Sequence, residues 1–401
     1  MLVDAMKACA AATPPATTLI DLIVVDNDVA GTARSIVEKF AANNPLPVTY
    51  AIEPRRGLAE ARNRGIQLAL ERGARWLAFI DDDSQPHPDW LDRLVTALRS
   101  EGAKLVGGAN IFEAPKAPMT AWQQFICRGL VDGSYRRYCR QRDRMPRDKV
   151  TIVTGNWCAD LDWIEDKALR FDQRYSATGG EDTAFDRSMR ATGAKVLFVP
   201  DSIVVETVPV ARISLRYQFK RLMMSGITKY NYYRRFRGPA FALARALPQG
   251  MLALLAGPIL FVVSAILTIV YPRLGGLLLV RTTRLVGKAI GAFGGALGLR
   301  SELFFANHGY ADEADRAATR RNPWYGEIHG SFGRLAQDTN RSKDRSGGRR
   351  VVLHVDVRVD LFRSRGRQSS ASSHPMDRDR GHRHLHSWQD LVHALHRRSQ
   401  D

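Results

Sequence analysis

Cysteine is scarce in this chain: Cys9, Cys127, Cys139 and Cys158 are the only four in 401 residues. No two of them form a C-x-x-C pair or any other metal-ligand spacing. They read as free thiols in a reducing compartment. Acidic residues are also in deficit, with 41 Asp and Glu against 59 Lys and Arg. The resulting formal net charge of +18 points to a polyanionic partner: nucleic acid, anionic lipid or a phosphorylated substrate. The N-terminus lacks the basic-then-apolar layout of a signal peptide, so nothing in it argues for export. No internal repeat is visible. The length suits one large or two ordinary domains with ample core.

What is present centres on Trp76–Leu91, WLAFIDDDSQPHPDWL. The apolar run Trp76–Ile80 has the length and type of a buried parallel strand. Asp81, Asp82 and Asp83 follow at once, then Pro86, Pro88 and an amphipathic helix from about Asp89. In an open α/β sheet, ligands bind beyond the carboxyl ends of the strands, where these acids sit. Adjacent like charges persist most easily when a cation offsets them, and hard oxygen ligands suit Mg²⁺ or Mn²⁺. A polar strand-to-helix turn capped by Asp83 or Ser84 is the plain alternative.

The flanking sequence alternates strand and helix. A helical segment at 1–12 ends at Pro14-Pro15, and a strand at Leu19–Val25 delivers Asp26, Asn27 and Asp28. Helix from about Thr32 to Ala42, strand near Val48–Ile52 and helix up to about Arg72 lead to the Trp76 strand. Another strand follows at Lys104–Gly107. This alternation signals a doubly wound, largely parallel sheet. Such a domain normally opens with a strand; here a helix comes first, which points to a start codon upstream. Ala109–Lys149 reads as less regular and Arg-rich, with Trp122 and Phe125 as anchors. A strand is expected at Val150–Val153, then Thr154-Gly155-Asn156-Trp157. Gly179-Gly180 leads into Glu181-Asp182 at a helix N-terminus, where the macrodipole favours ionised carboxylates. An ordinary acidic first turn gives the same pattern.

Five motifs in this order, LIVVDND, EPRRGLAEARNRGI, FIDDDSQPHPDWL, TGNW and TGGEDTAF, resemble the family-2 inverting glycosyltransferases, in the branch of bacterial exopolysaccharide enzymes. The resemblance spans about Met1–Arg237 and implies an α/β GT-A fold, the Rossmann-like fold of nucleotide-diphospho-sugar transferases. It implies that Asp26 holds the nucleobase, Arg62 contacts the nucleotide, and Asp81 and Asp83 contact the ribose and a Mg²⁺ or Mn²⁺ ion on the diphosphate. Asp182 would be the catalytic base, with Glu181 beside it, and Gly155 and Asn156 would border the acceptor. Two departures stand out. The family's opening strand is absent, and the Q-x-x-R-W motif has no full copy; Tyr217-Gln-Phe-Lys-Arg221 lies nearest and makes Arg221 a diphosphate ligand. The chemistry suits the residue types independently: inverting transfer needs one base and a cation for the departing diphosphate, with no second carboxylate nucleophile.

Beyond Arg212 the character changes. Arg212, Arg216, Lys220, Arg221, Lys229, Arg234, Arg235 and Arg237 alternate with aromatics and Leu, as in an interfacial amphipathic segment. A nucleic-acid face is the rival reading. No charged residue occurs from Ala246 to Pro272, and Leu252–Val270 is nearly all apolar, long enough to span a membrane core of about 30 Å. Pro258 should kink it. A second apolar stretch, Leu274–Leu299, carries Gly287, Gly291 and Gly295 at the four-residue spacing that allows close helix contact. Basic residues flank the first span equally, which fits a hairpin with both ends cytoplasmic. After about Asn340 Arg, Ser and His dominate and no period persists except at Val351–Leu361, so the tail is expected to be disordered, by native composition or by an altered reading frame. His382, His384 and His386 lack a supporting scaffold for a metal.

The expected organisation is a GT-A domain at 1–211, a basic interfacial segment at 212–245, membrane-anchoring hydrophobic helices at 246–299, a juxtamembrane segment at 300–339 and the tail at 340–401. The expected function is transfer of a sugar from a nucleotide-diphospho-sugar to a lipid-linked or other saccharide acceptor, at the cell inner membrane with the catalytic domain cytoplasmic and no nucleic-acid partner. Two rivals remain. A Mg²⁺-dependent nucleotidyl- or phosphotransferase would favour a Lys- or Gly-rich phosphate loop near the first strand, and none is visible. A non-catalytic truncated paralogue that binds membrane or partners would be marked by the absent opening strand.

Overall fold

The computed structural model describes residues 1–176, 179–299 and 349–357. The first regular element is a helix, α1 (Leu2–Ala10), as the sequence implies. Strands β1 (Thr18–Asp26), β2 (Val48–Ile52) and β3 (Trp76–Asp81) alternate with helices α2 (Arg34–Ala42) and α3 (Leu58–Glu71). Then follow β4 (Ser84–Pro86), α4 (Trp90–Glu101), β5 (Leu105–Glu113) and α5 (Ala121–Arg144). The last part of the sheet domain holds β6 (Trp157–Asp160), α6 (Leu161–Asp166), α7 (Glu181–Ala191) and β7 (Val196–Thr207). Three long helices come next: α8 (Leu215–Arg237), α9 (Pro239–Val270) and α10 (Pro272–Ala296). A last strand, β8 (Arg349–Val357), completes the described chain.

The eight strands form one mixed sheet in the order β2-β1-β8-β3-β6-β5-β7-β4. Strand β8 therefore fills the position between β1 and β3, parallel to both. The tail is thus not uniformly irregular: the stretch that keeps a period within it becomes a central strand. Its alternation explains the register. Val351, Leu353 and Val355 join Leu22, Val24, Ala78 and Ile80 in a core that α1, α2 and α4 cover through Met6, Val37 and Trp90. On the opposite face His354 meets Phe79 edge-on, with ring centroids 4.5 Å apart. A one-residue slip would drive the histidine into that core, so the period of two pins the pairing. Helix α3 is shaped to receive the ring. A Cβ on Gly65 would fall 2.8 Å from His354 Nε2, which accounts for a glycine inside a helix where alanine is favoured by about 1 kcal/mol.

Two sequence expectations change. No strand forms at Val150–Val153, because the Ile152 amide donates to the Asp186 carboxylate at 3.1 Å instead of to a neighbouring strand. The pairing segment is β6, antiparallel to both β3 and β5. The supposedly irregular middle contains the 24-residue α5, opened by a capping box between Thr120 and Gln123.

Helix α9 continues through Pro248 and Pro258. It is long and apolar enough to cross a membrane, and Leu252, Leu255 and Ile269 stand 65%, 71% and 83% exposed. The glycines of α10 serve contact with α8: a Cβ on Gly287 would lie 2.6 Å from the Phe219 carbonyl oxygen, and one on Gly291 1.8 Å from that of Met223. His382, His384 and His386 lie outside the described residues.

Candidate active site

The carboxyl ends of β1 and β3 carry the acids. Asp26 is fully buried. It accepts from the Asp28 amide at 3.0 Å, the Ala33 amide at 2.9 Å and the Tyr50 hydroxyl at 2.7 Å. Burial first, and the bond to Asp26 second, push the Tyr50 phenol well above its ordinary pKa, so it remains a donor. Next to it, the Asn27 side chain donates to the Glu53 and Arg55 carbonyls and accepts from the Gly57 amide at 2.7 Å. This clamp ties the EPRRG loop, and hence α3, to the end of β1. The sequence reading did not single out Asn27.

Arg62 projects from α3 and is 1% exposed. Its guanidinium donates to Glu181 at the start of α7, lies 3.9 Å from Asp81 Oδ1, and faces the Phe171 ring at 5.6 Å. One arginine thus joins the end of β3 to the N-terminus of α7 and draws three of the expected site residues together. Gly155 completes the contact. It has φ +96°, and a Cβ there would fall 2.7 Å from Asp81 Oδ2, so only glycine permits this approach. Asn156 is buried deeper; its amide donates to the carbonyls of Ala109 and Ser202, both at 3.0 Å, and locks β5 to β7.

Asp182 follows Glu181 in the first turn of α7, after Gly180 with φ +95°. It borders a small cavity with Thr154, Trp157 and Phe185, so it faces the TGNW segment. Its carboxylate accepts from the Thr183 amide at 2.5 Å. Burial, then the neighbouring Glu181 charge, raise its pKa to about 6, while Arg62 works in the opposite direction. A carboxylate so placed is close to the pKa a general base needs near neutral pH.

Asp83 pairs with Arg212, whose Nη1 lies 3.1 Å from Oδ2, and Arg212 also lies 3.7 Å from Glu206. Gln218, on the first turn of α8, donates to the Arg212 carbonyl at 3.0 Å. Gln218 belongs to the partial motif Tyr217–Arg221, and its link through Arg212 to Asp83 is what the motif accomplishes locally. In the sequence Arg212 looks like the first member of a solvated basic run, which conceals it. Arg221 lies further along α8, within electrostatic reach of Arg137 and Arg284. His354 is also invisible to motif reading. Burial, and then Arg62, lower its pKa to about 3, so a neutral imidazole packs beneath the Arg62 side of the site.

The family model for glycosyl transferase family 2 matches residues 1–159. Over 232 residues the chain is 31% identical to the succinoglycan biosynthesis protein ExoM of Rhizobium meliloti, covering 57% of this chain and 69% of the relative. The chain belongs to glycosyl transferase family 2. This family-2 chain is also 33% identical over 102 residues to the glycosyltransferase AglE of Haloferax volcanii, covering 25% of the chain and 32% of AglE. Among solved structures, S. aureus TarS 1-349 in complex with UDP aligns over 74% of this chain and 88% of its own, with 14% identity and a TM-score of 0.38. The fold of the family-2 chain is GT-A, with β8 at the centre of the sheet.

Family-2 transferases commonly work with a divalent cation, and the residues here suit one. Asp83 Oδ1 is buried with no hydrogen-bond partner, which leaves a lone carboxylate oxygen at the end of the strand for a cation to satisfy. Among the described residues no group of three or more His, Cys, Asp and Glu side chains converges. Mg²⁺ and Mn²⁺ are commonly held by one or two carboxylates plus substrate phosphates, so Asp83 with Asp81 would be the protein's donors to such an ion.

Proposed function

We propose that this family-2 transferase moves a sugar, with inversion, from a nucleotide-diphospho-sugar to a saccharide acceptor in exopolysaccharide biosynthesis. The observation that supports the reading is the Arg62 bridge, which links Asp81 at the end of β3 to Glu181 at the start of α7. Asp182 is the base. It takes the proton from the acceptor hydroxyl as that oxygen bonds to the anomeric carbon, and the bond from that carbon to the diphosphate breaks in the same displacement. Asp26 supports the nucleobase end and Arg62 the nucleotide. Asp81 and Asp83 would hold a divalent cation, which when bound would supply charge neutralisation for the departing diphosphate. Gly155, Asn156 and Glu181 frame the acceptor side, and Arg221 is a phosphate ligand.

Helix α9 anchors the enzyme in the cell inner membrane, with the sheet domain in the cytoplasm where nucleotide-sugars are made. The acceptor is lipid-linked, in keeping with an enzyme held at the membrane. The test is a panel of nucleotide-sugars incubated with the full chain and Mn²⁺ or Mg²⁺, read by released nucleoside diphosphate and by the anomeric configuration of the product. Cation-dependent release with an inverted product is expected. A retained configuration, or no release from any member of the panel, would overturn the reading.

A further inference from the structure

Outside the cleft, cations from three helices converge. Arg137 of α5, Arg221 of α8 and Arg284 of α10 lie within electrostatic reach of one another. One turn beyond Arg284, Lys288 faces Lys229 of α8 in the same way. Main-chain contact forces this grouping. Besides the α8–α10 contacts at Gly287 and Gly291, a Cβ on Gly226 of α8 would fall 2.1 Å from the Lys288 carbonyl oxygen, and one on Gly129 of α5 2.8 Å from that of Gly276. Helices that touch backbone to backbone cannot let their flanking charges drift apart.

Like charges held in such a seam destabilise it unless an anion offsets them. Among the described residues the cations outnumber the anions that act on them. The charged neighbours of Arg284 are Arg221 and Arg137, and those of Lys288 are Lys229, Arg284 and the Tyr233 phenol. Glu206 reaches Arg137, but it also lies near Arg212. Arg137 and Arg221 are exposed while Arg284 and Lys288 are half-buried, so a ligand could reach all four. Arginine forks bind phosphate oxygens in pairs.

The location is as informative as the charge. Asp83 pairs with Arg212, Arg212 lies 3.7 Å from Glu206, and Glu206 is within electrostatic reach of Arg137, so the charges lead from the cleft towards the cluster. On its other side α10 packs against α9, where Gly257 receives Val286 and Gly250 receives Phe293. The cations therefore stand between the acids of the site and the exposed apolar face of α9. A molecule with a reacting head, a phosphate middle and an apolar tail matches that sequence of surfaces.

We propose that Arg137, Arg221, Arg284 and Lys288 bind the diphosphate of a lipid-carried acceptor and hold it at the α8–α10 seam while its sugar end enters the cleft. The proposal rests on the sugar-transfer reading and assigns the phosphate bound by Arg221 to the acceptor. The test measures binding alone, without donor and without turnover. The full chain in detergent is titrated with farnesyl diphosphate, inorganic pyrophosphate, phosphatidylglycerol vesicles and, separately, UDP with Mn²⁺. Farnesyl diphosphate should bind more tightly than pyrophosphate, because its chain adds apolar contact. Arg284→Ala and Lys288→Ala should each weaken it about tenfold or more, the scale of losing one charged hydrogen bond. Arg284→Lys should recover part of that loss. UDP affinity should stay unchanged in all three variants, which also reports that they are folded.

Wild-type affinity for farnesyl diphosphate in the alanine variants would overturn the proposal. So would an equal loss of UDP binding, which would give the cluster to the donor or to folding. A loss of vesicle binding with no loss for farnesyl diphosphate would make the cluster a general membrane-surface patch. If the variants behave as expected but the enzyme transfers no sugar, the transfer reading fails and the diphosphate site stands.

Discussion

Replacing Asp182 by Asn retains its size and removes its proton affinity, with two opposite consequences. Losing a general base costs about 10²–10⁴-fold in turnover. Stability should move the other way. The carboxyl pKa is about 6 in the folded protein, chiefly through burial and then through Glu181, against about 3.9 in an unfolded chain. Between those values the folded state holds a proton that the unfolded state has lost. Wild-type stability therefore falls as pH rises from about 4 to about 6, then levels. A shift of about two units corresponds to about 3 kcal/mol, so Asp182→Asn should be more stable than wild type at pH 7 by up to about that amount and equal to it below pH 4. Denaturant unfolding in detergent at pH 4, 5, 6 and 7 measures the difference. Initial rates over the same range give the base directly: wild-type activity should rise through about pH 6, and the variant should show a flat residual. Near-normal turnover in the variant, or a stability difference that does not vary with pH, would refute both the assignment and its physical cause.

Asp83→Asn should weaken Mn²⁺-dependent UDP binding by about 10–100-fold, the loss of one charged ligand, and calorimetry with and without Mn²⁺ separates this from a folding effect. Gly65→Ala should destabilise despite its helix propensity, because its Cβ meets the His354 ring at 2.8 Å, whereas in a His354→Ala background the same change should stabilise. A double-mutant cycle by denaturation should therefore show coupling of about 1 kcal/mol or more, and additivity would argue that β8 does not occupy its place in solution. The full chain should sediment with membranes and need detergent for release. With α9 deleted, the residual attachment through basic α8 should vanish at high salt.

Much of the candidate site's placement was readable because the pattern that marks it is local. Asp26, Asp81 and Asp182 each sit at the end of a strand or the start of a helix, with Asp83 in the turn before β4, and those boundaries are marked by apolar runs and glycines. Arg62 was reachable through the resemblance, yet its bridging of Glu181 and Asp81 depends on a fold that brings residues over a hundred positions apart together. Arg212 and Gln218 were hidden for a different reason: within a basic stretch, one arginine that pairs with a buried aspartate looks like its solvated neighbours. The misplaced strand near Val150 has the same origin as most boundary errors, since an apolar run does not reveal that a buried carboxylate such as Asp186 will take its amide. Strand β8 was legible only as a residual period in an unpromising tail; which gap it fills is a property of the sheet.

That strand also sets the order in which the molecule can be built. Ribosomal synthesis delivers β1 and β3 early, and nearly 270 residues, including α9 and α10, separate β3 from β8. Until residues 349–357 emerge, two edges face an open slot, each with unpaired amides and carbonyls of the kind that recruit other chains. Closing so long a loop is slow compared with pairing neighbouring strands, because its entropy is lost before any contact offsets it. Once closed, Val351, Val352, Leu353 and Val355 are fully buried, each contributing about 1.5–3 kcal/mol. The nascent protein thus has a vulnerable interval during which its long helices are already made while its sheet is still divided. Its yield in a cell should depend on how well that interval is protected.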